Sequence, residues 1–72
     1  MKINYNKEVD ALYIQLRNGK VYRTSEKDGN ILVDFDKAGR ATGIEVLHFS
    51  RSLSAKQRQE VSAHVGRLLI PV

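Results

Sequence analysis

Short runs of alternating apolar and polar side chains fill the chain as far as Phe49, and turn residues punctuate them. Alternation at period two is the pattern of a strand with one face toward a core. Asn18-Gly19 separates residues 10–17 from residues 20–26, and both residue types tolerate the positive φ of a type I′ hairpin. Asp28-Gly29 repeats the device between residues 20–27 and 30–36. Lys37-Ala38-Gly39 reads as a three-residue hairpin with Gly39 in the left-handed position. Three hairpins in series predict a four-stranded antiparallel meander, and residues 2–5 add a fifth strand through a turn at residues 6–9. Beyond Phe49 the interval changes: Leu53, Val61, Val65 and Leu68 recur at helical spacing. Ser54 and Gln57 have the spacing of a capping box, and Gly66 and Pro71 are stop signals. The expected product is a single α+β domain, with a sheet over about 2–49, one C-terminal helix over about 55–65 and an apolar tail at 66–72.

Turn geometry also predicts register. Two-residue turns at Asn18-Gly19 and Asp28-Gly29 set Leu16 opposite Val21, Ile14 opposite Arg23 and Arg23 opposite Asp34. Closure of the third turn by Asp36 and Arg40 sets Leu32 opposite Ile44. One face then carries Leu12, Ile14, Leu16, Val21, Leu32, Ile44 and Val46; the other carries Ala11, Tyr13, Tyr22, Ile31, Val33, Phe35 and Leu47. Both faces are apolar on this reading, yet one short helix covers only one of them. The surplus, together with the tail Leu68, Leu69, Ile70 and Val72, is expected to be buried by another chain. Tyr13, Tyr22, Phe35, Leu68, Leu69 and Ile70 are the interface candidates. A bulge that shifts the register, with the tail folded back, is the competing reading.

Length sharpens this expectation. A domain of 72 residues hides only about 60% of its unfolded surface and usually needs a staple. With no cysteine, disulfides and thiolate metal sites are ruled out. His48 and His64 are too few for a structural zinc, which takes about four ligands. Association with other copies is the staple that is left, as a dimer or larger homo-oligomer. No run approaches the roughly 20 apolar residues of a membrane span. The first residues carry no leader pattern, so a cytoplasmic location and no membrane partner are expected.

The net charge of +4 invites a nucleic-acid reading, but the cations are spread along the chain and many have a nearby acid. The densest excess is Arg51, Lys56, Arg58 and Arg67 against Glu60. Of the acids, Asp34 and Asp36 share a face, Asp10 begins an apolar strand, and Glu45 sits inside an apolar run. Paired carboxylates can do acid–base work or hold a hard cation. The predicted register instead pairs Asp34 with Arg23 and puts Glu45 on the face opposite Asp34. No catalytic, cofactor or metal residue is therefore assigned, and no cofactor is expected. Gly43, inside a strand, marks a bulge or a close backbone approach.

The segment Asp10-Ala11-Leu12-Tyr13-Ile14, then Val33-Asp34-Phe35-Asp36, Gly39 and Gly43-Ile44-Glu45-Val46-Leu47, resembles the small prokaryotic domain-of-unknown-function family 2283. The resemblance covers roughly the first 50 residues and implies a compact antiparallel sheet with a helix, with no established activity. It carries the family's characteristic residues onto Asp10, Tyr13, Asp34, Gly39, Gly43 and Glu45, with Asp10 and Glu45 as anchors of strand ends or of a partner contact. It also implies a bacterial, antitoxin-like role beside a small neighbouring-gene protein. The expected function is a non-enzymatic protein-binding and oligomerising module. A basic nucleic-acid-binding or autoregulatory protein is the second reading, and a small metal-dependent or acid–base enzyme on Asp10, Asp34, Glu45 and the histidines is the third.

Overall fold

The computed structural model describes residues 1–60, which form five antiparallel strands, a turn of 3-10 helix and the first residues of an α-helix. The strands are β1 (Lys2–Asn6), β2 (Ala11–Gln15), β3 (Arg23–Glu26), β4 (Ile31–Phe35) and β5 (Ala41–Val46). The 3-10 turn spans Ser50–Ser52, and the helix begins at Ala55. Its capping box forms as the Ser54 and Gln57 spacing predicts. The Gln57 N–H donates to Ser54 Oγ at 3.1 Å, and the Ser54 N–H donates to Gln57 Oε1 at 2.9 Å. The predicted end of the helix and the apolar tail, with Leu68, Leu69 and Ile70, lie outside the described residues.

The α+β class and the antiparallel sheet agree with the sequence, but the strand order does not follow a meander. It runs β1-β2-β5-β4-β3, so β2 pairs with β5 and the chain crosses two strands before laying down β3 on the far edge. Asn18-Gly19 is therefore not a two-residue hairpin, and Leu16 and Ile14 do not face Val21 and Arg23. Crossing from β2 to β3 covers three strand spacings, about 14 Å, which residues 16–22 span easily. Composition explains the order. Arg-Thr-Ser-Glu of β3 has no apolar side chain to bury, and charged residues suit an edge that must resist pairing. The β2 segment Ala-Leu-Tyr-Ile-Gln and β5 segment Ala-Thr-Gly-Ile-Glu-Val bring matched aliphatics to the centre, Leu12 opposite Val46 and Ile14 opposite Ile44.

Two one-residue differences decide what each face carries. The β3–β4 turn holds residues 28–30, with the Lys27 N–H donating to Ile31 O at 2.7 Å, so Arg23 lies opposite Phe35 and Thr24 opposite Asp34. The β4–β5 turn closes as expected: the Asp36 N–H donates to Arg40 O at 2.9 Å, and Gly39 adopts φ +87°. One step later a bulge at Thr42 inserts an extra residue, since Phe35 pairs with Ala41 but Asp34 pairs with Gly43. Thereafter Leu32 faces Glu45 and Val33 faces Ile44, and the predicted pairing of Leu32 with Ile44 is overturned. A shift of one residue exchanges the faces of a strand.

The sheet consequently has one apolar face, and the expectation of two is corrected. Pairing aligns Ile3 and Tyr5 of β1, Leu12 and Ile14 of β2, Ile44 and Val46 of β5, and Ile31, Val33 and Phe35 of β4. The other face carries Asn4, Tyr13, Gln15, Glu45, Asp34, Thr24 and Glu26, with Leu32 as its main apolar exception. Among the described residues Ala11 is the one buried hydrophobic, and the aliphatics of the apolar face are only half-buried. Leu16, Val21 and Tyr22 lie outside the strands and are exposed, so Tyr22 does not share a strand face with Tyr13.

Candidate functional site

On the polar face a small network spans three strands. Tyr13 at the middle of β2 extends its ring over Gly43 of β5, and its hydroxyl donates to Asp34 Oδ2 of β4 at 2.9 Å. From the edge strand, Thr24 Oγ1 donates to Asp34 Oδ1 at 2.6 Å. Gly43 is what makes the reach possible, because a Cβ there would overlap Tyr13 Oη and Cζ. The residue that sequence analysis marks as a bulge or close approach is thus next to the former and is the latter. Glu45 lies directly opposite Tyr13 and on the same face as Asp34, which corrects its predicted placement. Burial first, then the bond to Asp34 and the charges of Asp34 and Glu45, push the Tyr13 phenol above its usual range. The predicted ion pair of Asp34 with Arg23 is replaced. The Arg23 guanidinium lies 4.2 Å from the centroid of the Phe35 ring, and Lys27 Nζ lies 5.7 Å from it.

A second network holds one end of the sheet. Asp10 closes the β1–β2 turn at φ +55°, a conformation uncommon outside glycine but tolerated by Asp. Its carboxylate accepts from the Tyr5 hydroxyl at 2.6 Å and from Ser50 N and Oγ at 3.0 and 2.9 Å. Its main-chain oxygen accepts from the Phe49 N–H at 2.9 Å. The Phe49 ring meets Tyr5 edge-on, centroids 6.0 Å apart. Asp10 therefore clasps the segment after β5 to the first hairpin and holds the start of the 3-10 turn. The Tyr5 hydroxyl, then the Ser50 groups and the Arg51 N–H, hold the Asp10 carboxyl down to about 2, against burial that pushes it up.

The acids that sequence analysis singles out fall into separate places. Asp10 sits at the end where β2 begins, Asp34 and Glu45 are on the polar face, and Asp36 closes the β4–β5 turn through Arg40, Nε to Oδ2 at 2.9 Å. Among the described residues no group of three His, Cys, Asp or Glu side chains is placed to hold a metal ion. His48 is exposed beyond β5 with φ +52°, and His64 lies outside the described residues. Of the interface candidates, Tyr13 is committed to Asp34, Phe35 lies on the apolar face beneath Arg23, and Tyr22 is exposed beside β3. The Ser50 partnership with Asp10 is absent from the sequence reading, which sees Ser50 as a loop residue. The two are 40 positions apart, and no local pattern links them.

Residues 2–50 match the family described as "Protein of unknown function (DUF2283)". An uncharacterized protein of Methanocaldococcus jannaschii is 39% identical over 51 residues, covering 71% of this chain and 43% of that protein. The chain thus spans less than half the length of that curated relative. No solved structure matches. No described helix is long and apolar enough to cross a membrane.

Proposed function

Because the chain belongs to this family of proteins of unknown function, whose matched span contains the whole sheet, we propose from its geometry that it is a protein-association module rather than an enzyme. We take the apolar sheet face as its binding surface and a second copy of the chain as the occupant. One observation carries the reading: a face built from Ile3, Leu12, Ile14, Ile31, Val33, Ile44 and Val46 has no second layer from any other described strand. A sheet with one apolar face needs something packed on it. The four strands that contribute to it, about 4.8 Å apart and each about five residues long, give the face a projected area on the order of 300 Å². Side-chain relief raises the accessible area above that, toward the several hundred Å² per partner of a specific interface. Two such faces can pack about 10 Å apart with strands within about 30° of each other. β-branched aliphatics without a buried charge let the same patch complement itself across a twofold axis.

Two other occupants compete. One is this chain's own residues 61–72, and the other is a small neighbouring-gene protein, as in the antitoxin-like role that the resemblance implies. Light scattering on the full chain at micromolar concentration separates them. A dimer mass that falls on dilution supports the reading. A strict monomer, alone or converting to a 1:1 complex with a different protein, overturns it.

A further inference from the structure

Topology sorts charges that look scattered along the sequence. The crossover after β2, the start of β3, the β4–β5 turn and the start of β1 all lie at one end of the sheet. That end collects Lys2, Arg17, Lys20, Arg23, Lys37 and Arg40, with Asp36 as its one turn acid. Asp36 is already bound to Arg40, the one ion pair among the described residues. The other end, at the β1–β2 and β3–β4 turns and the start of the segment after β5, is mixed, with Lys7, Lys27 and Arg51 beside Glu8, Asp10, Glu26 and Asp28. The molecule therefore carries one basic end and one end of mixed charge. At the basic end Tyr22 is 65% exposed, between Lys20 and Arg23 in the chain.

We infer that the basic end of the sheet is a binding surface for single-stranded nucleic acid, with Lys2, Arg17, Lys20 and Lys37 meeting phosphates and Tyr22 stacking on a base. The surface extends from β1 to β3, about 19 Å across, enough for several consecutive phosphates. Cations flanking an exposed aromatic ring are the elements of sequence-tolerant single-strand binding. An acidic peptide would satisfy the cations but has no use for an isolated exposed ring among them. This surface is separate from the apolar face, so it stands or falls independently of the association reading.

The test is fluorescence anisotropy of labelled 12-nucleotide oligo-dT and oligo-U with the full chain between 25 and 200 mM salt. Polyglutamate of similar length serves as the acidic-peptide probe. Both oligonucleotides should bind at low salt. The loop variant Arg17→Ser/Lys20→Ser/Lys37→Ser should weaken binding at least about tenfold and lower the salt slope by about 2, at roughly 0.7 for each phosphate no longer neutralised. Tyr22→Ala should weaken binding about fivefold or more with the slope unchanged. A control of equal charge change, Lys7→Ser/Arg51→Ser/Lys56→Ser, should leave affinity within about twofold. No binding at 25 mM salt, equal losses in the two triple variants, or tighter capture of polyglutamate than of either oligonucleotide would overturn the assignment. All the charge-substituted positions are exposed, and circular dichroism confirms that each variant is folded.

Discussion

On one face of the sheet Ile14, Ile44 and Val33 lie in line across three strands with nothing polar between them. On the other face, one residue along, Tyr13 reaches over Gly43 to Asp34. The same three strands thus present a surface that gains by being covered and a surface that is already satisfied in water. The apolar face draws its stabilisation from removal of area, about 25 cal/mol per Å², and most of that gain waits on a second layer. The polar face draws its stabilisation from a few directional bonds, each worth about 1 kcal/mol net. The comparison teaches that a polar sheet face with a side-chain network is finished, whereas an aliphatic face is one half of an interface.

The largest expected effect breaks the apolar side. Ile44→Asp sets a charge at the centre of the face and should abolish dimer formation, lowering association at least about a hundredfold, since an unpaired buried charge costs several kcal/mol. Analytical ultracentrifugation reads the loss. A dimer of unchanged affinity would show that the partner lies elsewhere, and the milder Ile44→Thr keeps the question answerable if the aspartate unfolds the chain.

Next comes the polar side. Gly43→Ala forces the Tyr13 ring off its seat and should cost about 1–3 kcal/mol in urea unfolding, the usual range for overpacking. In a Tyr13→Ala background the same substitution should cost much less, because no ring is left to displace. Equal costs in both backgrounds would mean that Gly43 is needed for its backbone and not for the ring.

A smaller loss is expected where the two faces meet the following segment. Asp10→Asn should lower the melting temperature at pH 7, because it weakens the clasp on Ser50 and Tyr5. The native carboxyl is held at about 2, below its unfolded value of about 3.9. Its contribution is therefore complete above about pH 4 and is lost as pH falls toward 2. Thermal melts from pH 5 to pH 2 should show the native chain losing more stability than the variant; parallel curves would contradict the clasp.

The smallest effect belongs to Tyr13→Phe, which keeps the ring and removes the bond to Asp34, at a cost of about 1 kcal/mol. The phenol titrates above its ordinary value, so its contribution is present below about pH 10 and fades as pH rises through the raised folded value. Melts from pH 8 to 11 should therefore flatten in the phenylalanine variant. An unchanged alkaline slope would remove Tyr13 as its source.

Much of this was legible in the residues themselves. Alternation located the strands, Gly39 marked a left-handed turn that the backbone adopts, Ser54 and Gln57 announced the helix start, and Gly43 announced a close approach. These are local properties: side-chain period, allowed φ and short-range hydrogen bonds act over a few residues, and the chain carries them wherever it goes. Three things were decided only by the tertiary structure. Pairing of β2 with β5 depended on which distant strand offers matched aliphatics and leaves Arg-Thr-Ser-Glu at an edge. The single extra residue at Thr42 exchanged the faces of half the sheet. The meeting of Asp10 with Ser50 joined positions 40 apart. Each depends on long-range packing, where a displacement of one residue changes every neighbour, and no short window of sequence contains that information.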